Sequence, residues 1–341
     1  MVTSLLVLPS WQPGRAELDP RDSQSPFGVL AFLNWDHDWN SHTFPEERLG
    51  QAADLLHEAG VAFVRMDFLW DDIEPAPGKF DFKKYDHIVE ILTSRNIKIL
   101  GLLSYNAVWA AEYWNSAPDP VKFTRYAEAV VERYKGRVKY WEIWNEPDEQ
   151  NYWRQQDGLK GYTELLKSVY PAMKAVDPTC VVLMGGVSHT IPFSLKNIYR
   201  NGGKAFFDAV NFHPFVDPRS PSAPELLRGI YLSVYRTMEE FNDADKEIWI
   251  TEIGCPGVNP DKATSGWWLG RAPSEEEQAA WVKKAYAEIL SWKGVRRVFW
   301  AFFRDTPNYF QNAIDYFGLI RNDFSKKPSF ETYKRLTQTT D

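Results

Sequence analysis

Two glutamates, Glu146 and Glu252, close apolar runs, in Trp141-Glu-Ile-Trp-Asn-Glu-Pro147 and Ile248-Trp-Ile-Thr-Glu-Ile-Gly254. If both runs are strands whose ends share a pocket, the pair is equipped for glycoside cleavage. One carboxylic acid protonates the leaving oxygen, and one carboxylate attacks or stabilises the anomeric carbon. A separation of roughly 5 to 5.5 Å between the carboxyl groups goes with retention of configuration, and roughly 6.5 to 9.5 Å with inversion. A strand-end glutamate is more often a rim charge or the partner of an arginine, so the pair alone leaves both readings open.

Other polar or aromatic groups fall at comparable places: Asn34 and Trp35, Arg65 and Asp67, Tyr105 and Asn106, Asn145, His213, and Trp300 ahead of Arg304 and Asp305. Arg65 sits in an otherwise apolar run and demands an anionic partner, for which Glu252 is the candidate. The remaining histidines, His37, His42, His57, His87 and His189, show no metal-ligand spacing with one another or with cysteine. No metal and no cofactor are expected.

The elements that must position these groups follow from periodicity. Short β-rich runs occupy Phe27 to Leu33, Val61 to Asp67, Lys98 to Leu103, Val138 to Trp144, Cys180 to Gly185, Ala209 to His213, Glu247 to Glu252 and Val295 to Phe302. Segments of helical period separate them. Thr43 with Glu46 and Ser274 with Glu277 are spaced as capping boxes, and Asp119-Pro120 places an acceptor before a proline at the first helical position. Tyr85, Ile88, Val89 and Leu92 share one helical face, as do Phe123, Tyr126, Ala127, Val130 and Tyr134.

Nearly apolar strands such as Val181 to Met184 suit a parallel sheet covered on both faces. A doubly wound open sheet meets that condition too, but no G-x-G-x-x-G or P-loop pattern follows any strand. Eight βα units of even length favour an α/β fold of the (β/α)8 TIM-barrel type as a single domain. Residues 27–341 form that domain, after an irregular Pro-, Ser-, Asp- and Arg-rich arm at 1–26.

The chain has 341 residues with 15 Trp, 16 Tyr and 21 Phe, an aromatic excess that either fills the core or lines a sugar-binding cleft. A net charge of −7 argues against a nucleic acid as main partner. With only Cys180 and Cys255, a disulfide framework is unavailable, and one bridge between them stays open. The opening stretch Thr3 to Pro9 is too short to span a bilayer and makes no convincing signal peptide, which leaves the location open. A monomer is expected.

Trp141 to Asp148 resembles the W-x-x-x-N-E-P signature of the retaining clan A glycoside hydrolases, and Ile248 to Gly254 their strand-seven T-E-x-G. Val64-Arg-Met-Asp67 followed by Trp70, Glu74-Pro75, Gly78, Phe80 and Asp86 resembles the family 39 glycosidases and their bacterial exopolysaccharide-cleaving relatives. So does Phe317 to Asp323 with Lys327-Pro328 and Tyr333. Departures are the lack of room for the accessory β-sandwich of some family members and of their usual strand-one histidine.

The resemblance implies a retaining β-glycoside hydrolase in which Glu146 is acid/base and Glu252 nucleophile. Asn145 would then hold the sugar 2-OH, Arg65 would hold the nucleophile ionised, and His213 would bond near Glu252 or a sugar hydroxyl. For Trp300 a platform under the sugar and a place in the barrel interior are both open. Tyr105, with Trp109 and Trp114, and Asn34 are expected on the rim, and the adjacent Trp267 and Trp268 on distal sugars. An endo-acting enzyme on an oligosaccharide or polysaccharide is preferred, because no extra domain walls off one end of the groove. A non-catalytic carbohydrate-binding barrel and a transglycosidase with the same covalent intermediate are the alternatives.

Overall fold

In the computed structural model, residues 25–36, 44–188, 190–258 and 271–339 are described. The elements are β1 (Phe27–Leu30), α1 (Leu49–Glu58), β2 (Phe63–Leu69), the single turn α2 (Trp70–Ile73), α3 (Lys83–Thr93), β3 (Lys98–Ser104), α4 (Pro120–Tyr134), β4 (Tyr140–Ile143) and α5 (Lys160–Val176). They continue with β5 (Val181–Met184), α6 (Ile191–Arg200), β6 (Ala209–Asn211), α7 (Ala223–Glu240), β7 (Glu247–Ile253), α8 (Glu275–Ile289), β8 (Val295–Ala301) and α9 (Pro328–Gln338). All eight strands pair in parallel in chain order, and β1 pairs with β8, so the sheet closes into the expected (β/α)8 barrel.

Helix starts follow their residues. Asp119 accepts from the Val121 and Lys122 amides, and Ser274 with Glu277 makes a complete capping box. Thr43, half of the other expected box, lies outside the described residues. Both helical stripes read from the sequence are buried. Cys180 and Cys255 are buried free thiols, which answers the question of a bridge. No helix of the described residues is long and apolar enough to cross a membrane.

Strand parity sorts the interior. Side chains of alternate residues point to opposite faces, and the inward set at the base is Phe63, Leu100, Tyr140, Val181, Leu183, Ala209, Trp249 and Phe299. Phe63 meets Tyr140 and Trp249 edge-on at 5.2 and 5.7 Å, so the bottom of the barrel is a packed aromatic plug. Gly28 leaves room for it, since a Cβ there would lie 2.4 Å from the Phe299 ring. Two residues further along, the same parity brings Arg65, Glu142, Asn211 and Thr251 inward, and the interior changes from apolar to hydrogen-bonded.

The C-terminal helix completes the ring. Tyr333 donates its hydroxyl to the Gly28 carbonyl of β1. Lys327, at the start of α9, places Nζ 2.7 Å from Asp305 Oδ1 beyond β8 and also donates to the carbonyls of Gly257 and Tyr316.

Candidate active site

The described β1 and β6 end earlier than their apolar runs, at Leu30 and Asn211, although the Ala31 and Phe212 amides still donate to the Arg65 and Trp249 carbonyls of the neighbouring strands. The pocket is built from such ends. After β4, Trp144 and Glu146 both take left-handed backbone conformations, with φ of 66° and 43°. Each costs on the order of 1–3 kcal/mol for a residue with a Cβ. That turn directs Asn145 and Glu146 inward. In β7 the ladder to β8 is irregular between Ile250 and Ile253. Such an irregularity re-aims side chains, and the consecutive Thr251 and Glu252 both bond to interior groups.

Arg65 is the centre of the charge arrangement. Its Nε and Nη2 donate to Glu142 at 2.7 and 3.0 Å, its Nη1 to Glu252 Oε1 at 2.7 Å, and Nη2 also to Asn145 Oδ1 at 2.8 Å. The expected Arg65–Glu252 pair is therefore present. Glu142, which closes the other side of the fork, was not among the sequence candidates. Its signal was available, since a carboxylate in the apolar Tyr140–Ile143 strand demands a buried cation as much as Arg65 demands an anion.

Donor and acceptor capacity fixes the direction of the bonds around His213. Asn211 Nδ2 faces two acceptors, Glu142 Oε1 at 2.8 Å and the Met184 carbonyl at 3.3 Å, so it is the NH2 group. Asn211 Oδ1 accepts from the Thr251 amide at 3.3 Å and from the Thr251 hydroxyl at 2.9 Å. With its hydrogen committed, Thr251 Oγ1 can only accept, so His213 Nε2, 2.9 Å away, carries a proton. Burial holds the imidazole below its usual pKa and therefore neutral, which leaves Nδ1 bare. The 2.7 Å contact between Nδ1 and Glu146 Oε1 then requires the proton to sit on Glu146.

The titration behaviour agrees. Burial, reinforced by Asp148, raises Glu146 to about 8. Burial also raises Glu252 above the ordinary carboxylate range, but Arg65, which bonds to it directly, opposes it. Of the two carboxyls, Glu252 has the guanidinium and Glu146 has a neutral acceptor. One environment favours the anion and the other the acid.

Gly186, just after β5, holds this arrangement together. Its amide donates to Glu142 Oε1 at 3.0 Å, and its carbonyl accepts from the Glu146 amide at 3.1 Å. A Cβ there would lie 2.0 Å from His213 Nε2. Gly186→Ala is expected to displace the imidazole and lower turnover on the order of 10²-fold, as a displacement of about 1 Å does. Steady-state kinetics on folded variant, verified by circular dichroism, checks it; unchanged turnover would mean that the position of His213 does not matter.

The rim is aromatic on two sides. Tyr105 packs edge-on against Trp114 at 4.8 Å and Trp144 at 5.2 Å, and parallel to Tyr152 at 6.2 Å, as expected for a rim residue. Tyr152 was not singled out from the sequence. Burial and the nearby Glu146 and Glu252 carboxyls keep its hydroxyl protonated, hence a donor. Opposite, Phe32 stacks on Trp35 at 3.7 Å, and Trp35 meets Tyr309 at 4.5 Å. Trp109 turns away, its Nε1 donating to the Glu74 carbonyl.

Two expectations are corrected. Trp300 is no sugar platform: on β8 its neighbour Phe299 fills the interior, so by parity Trp300 points to the helix layer, 0% exposed, with Nε1 donating to the Phe317 carbonyl. Asn34 is 1% exposed and donates to the Tyr85 hydroxyl at 3.3 Å, which puts it behind the rim, against α3. Trp267 and Trp268 lie outside the described residues.

Glu146 after β4 and Glu252 in β7 thus approach each other at one end of a closed (β/α)8 barrel. The model of the glycoside hydrolase 42 β-galactosidase family matches residues 38–107. A β-galactosidase of Geobacillus sp. is 30% identical over 146 residues, 35% of this chain, which covers 22% of that protein's length. Endo-1,4-β-xylanase B of Thermotoga neapolitana is 22% identical over 296 residues, 79% of this chain and 78% of its own. Among solved structures, a family 39 glycoside hydrolase from Bacteroides cellulosilyticus superposes with a TM-score of 0.73 at 24% identity, over 93% of this chain and 64% of that one. A family 39 enzyme from Xanthomonas axonopodis pv. citri gives a TM-score of 0.70 at 19% identity, over 95% of this chain and 68% of its own. The chain is thus similar in sequence to glycoside hydrolases over part of its length, and the family 39 structures share its fold.

Proposed function

We propose that the chain is a retaining β-glycosidase acting by double displacement, with Glu252 as nucleophile and Glu146 as acid/base. The observation that carries this is a distance. A carboxyl oxygen of Glu146, one of Glu252 and a ring nitrogen of His213 all lie within 4.8 Å of one another. That fits the roughly 5 to 5.5 Å of retaining pairs better than the roughly 6.5 to 9.5 Å of inverting ones.

The same three groups meet the spacing of a three-ligand cation site. Arg65 already sets a positive charge against Glu252, and a proton bridges Glu146 and His213. The residues thus satisfy one another as acid, base and nucleophile, and the reading needs no metal.

In the first step Glu252 attacks the anomeric carbon while Glu146 passes its proton to the leaving oxygen. Glu146, now an anion, takes a proton from water, which attacks the glycosyl-enzyme and frees Glu252. Asn145 binds Arg65 through Oδ1, and its NH2 has no partner among the described residues, which suits a donor to the sugar 2-OH. The substrate class is an oligosaccharide or polysaccharide, cut internally, since aromatic rings flank the pocket on both sides and Trp114 is 51% exposed beside Tyr105.

Activated 2-deoxy-2-fluoro β-glycosides of glucose, galactose, mannose and xylose test this. Intact mass and peptide mapping are expected to find a fluoroglycosyl adduct on Glu252. An adduct elsewhere, or turnover with inverted product, would remove the assignment.

A further inference from the structure

Asp67 belongs to none of the roles above. It is the third inward residue of β2, after Phe63 in the aromatic plug and Arg65 in the charged layer, and so stands nearest the mouth. In the closed strand order β2 lies opposite β6, the strand that leads to His213. A sugar seated over Glu252 and Arg65 would therefore have His213 and Glu146 on one side and Asp67 on the other.

Asp67 is 6% exposed. Among the described residues it receives one hydrogen bond, from Trp35 Nε1 to Oδ2 at 3.3 Å. A buried carboxylate ordinarily collects two or three donors or a cation. The neighbouring cation is already committed, since Arg65 directs its N–H groups to Glu142, Glu252 and Asn145. Oδ1 is left without a donor among the described residues. Tyr105, Tyr152 and Tyr309 all lie within electrostatic reach of Asp67. The open acceptor thus sits inside the aromatic rim.

We propose that Asp67 is a specificity-determining residue that accepts hydroxyl hydrogens from a neutral sugar in the cleavage subsite. Burial raises the pKa of Asp67 and Arg65 opposes it; in the ionised form its oxygen can only accept, so the ligand must be a donor. It must also be uncharged or weakly polar there, because a uronic acid carboxylate would join Asp67, Glu142 and Glu252 around one guanidinium. A site built to bond a hydroxyl rejects analogues that lack it far more strongly than an apolar wall does. The inference rests on the glycosidase reading and names the chemistry of its substrate.

The test uses 4-nitrophenyl β-glycosides of glucose, galactose, mannose and xylose, and the monodeoxy analogues of whichever sugar is turned over fastest. In Asp67→Asn the side-chain oxygen can still accept from Trp35, while the charge and the second acceptor are lost. The variant is expected to lose about 10- to 100-fold in kcat/KM on the parent glycoside, the usual range for a hydrogen bond to a charged group. On one monodeoxy analogue, wild type and variant should be equal.

Trp35→Phe separates this from a role in holding the indole. If it reproduces the losses of Asp67→Asn, or if Asp67→Asn slows every analogue as much as the parent, the proposal is overturned. A wild-type protein that turns over neither these glycosides nor any β-linked polysaccharide sinks the hydrolase reading by itself. Asp67 is then judged by saturation-transfer NMR of the same glycosides. Weaker binding of the parent alone in Asp67→Asn supports its role, and equal binding of parent and analogues refutes it.

Discussion

Glu252→Ala is expected to lower turnover of an aryl β-glycoside on the order of 10⁴-fold or more, because removing a covalent nucleophile costs most of the chemical step. No second carboxylate can take over, since Glu142 has both oxygens bound by Arg65. Glu146→Ala should cost about 10²- to 10⁴-fold with a poor leaving group, and much less with one that departs without a proton. Azide distinguishes the two variants. It should rescue Glu252→Ala to an α-glycosyl azide and Glu146→Ala to a β-glycosyl azide, and the same anomer from both would break the assignment.

The pH profile carries the same argument. Glu146 works first as an acid, and its protonated form is lost as pH rises through about 8. Wild-type kcat/KM should therefore fall on the alkaline side there, and the fall should vanish in Glu146→Ala. On the acid side Glu252 must be ionised, and burial lifts it above the usual carboxylate range. That limb should lie above the ordinary range as well. The two groups interact, so the limbs belong to the pair.

Much of this site could be read from residue order. The strands are short, β-rich and in several cases nearly apolar runs separated by helical segments, and a barrel needs its chemistry at their C-terminal ends. That reasoning lists Glu146, Glu252, Arg65, Asn145 and His213 as candidates, and their roles come from the family resemblance. It fails where the choice of face decides. Trp300 stands at the right height on β8, but Phe299 beside it takes the interior, and nothing in the run Val298-Phe-Trp-Ala301 says which aromatic turns inward. Glu142 was hidden by a signature that draws the eye to Glu146, four residues later. Tyr152 lies in an irregular loop with no period, and only the fold brings it to the carboxyls. Asn34 follows β1 as expected, but Tyr85 on α3 captures it.

Arg65→Met is expected to combine the largest loss of stability with the loss of activity. The guanidinium is fully buried with three partners, and removing it leaves Glu142 and Glu252 without their cation. Breaking a buried pair in this way costs about 3–5 kcal/mol, to be measured by urea unfolding. Arg65→Lys should not rescue it, because a point charge cannot reproduce four directed bonds from one plane.

The double variant separates frame from chemistry. Glu142→Gln removes one of the two stranded charges, so Arg65→Met/Glu142→Gln should recover much of the lost stability, as neutral replacements of buried ion pairs commonly do. Activity should stay lost, because Glu252 would still lack the charge that opposes its burial and would hold a proton where a nucleophile needs a lone pair. Recovery of both would mean that Arg65 serves the barrel frame alone. Recovery of neither would mean that Glu142 has a further role, through its bonds to Asn211 and the Gly186 amide, in setting the His213 tautomer.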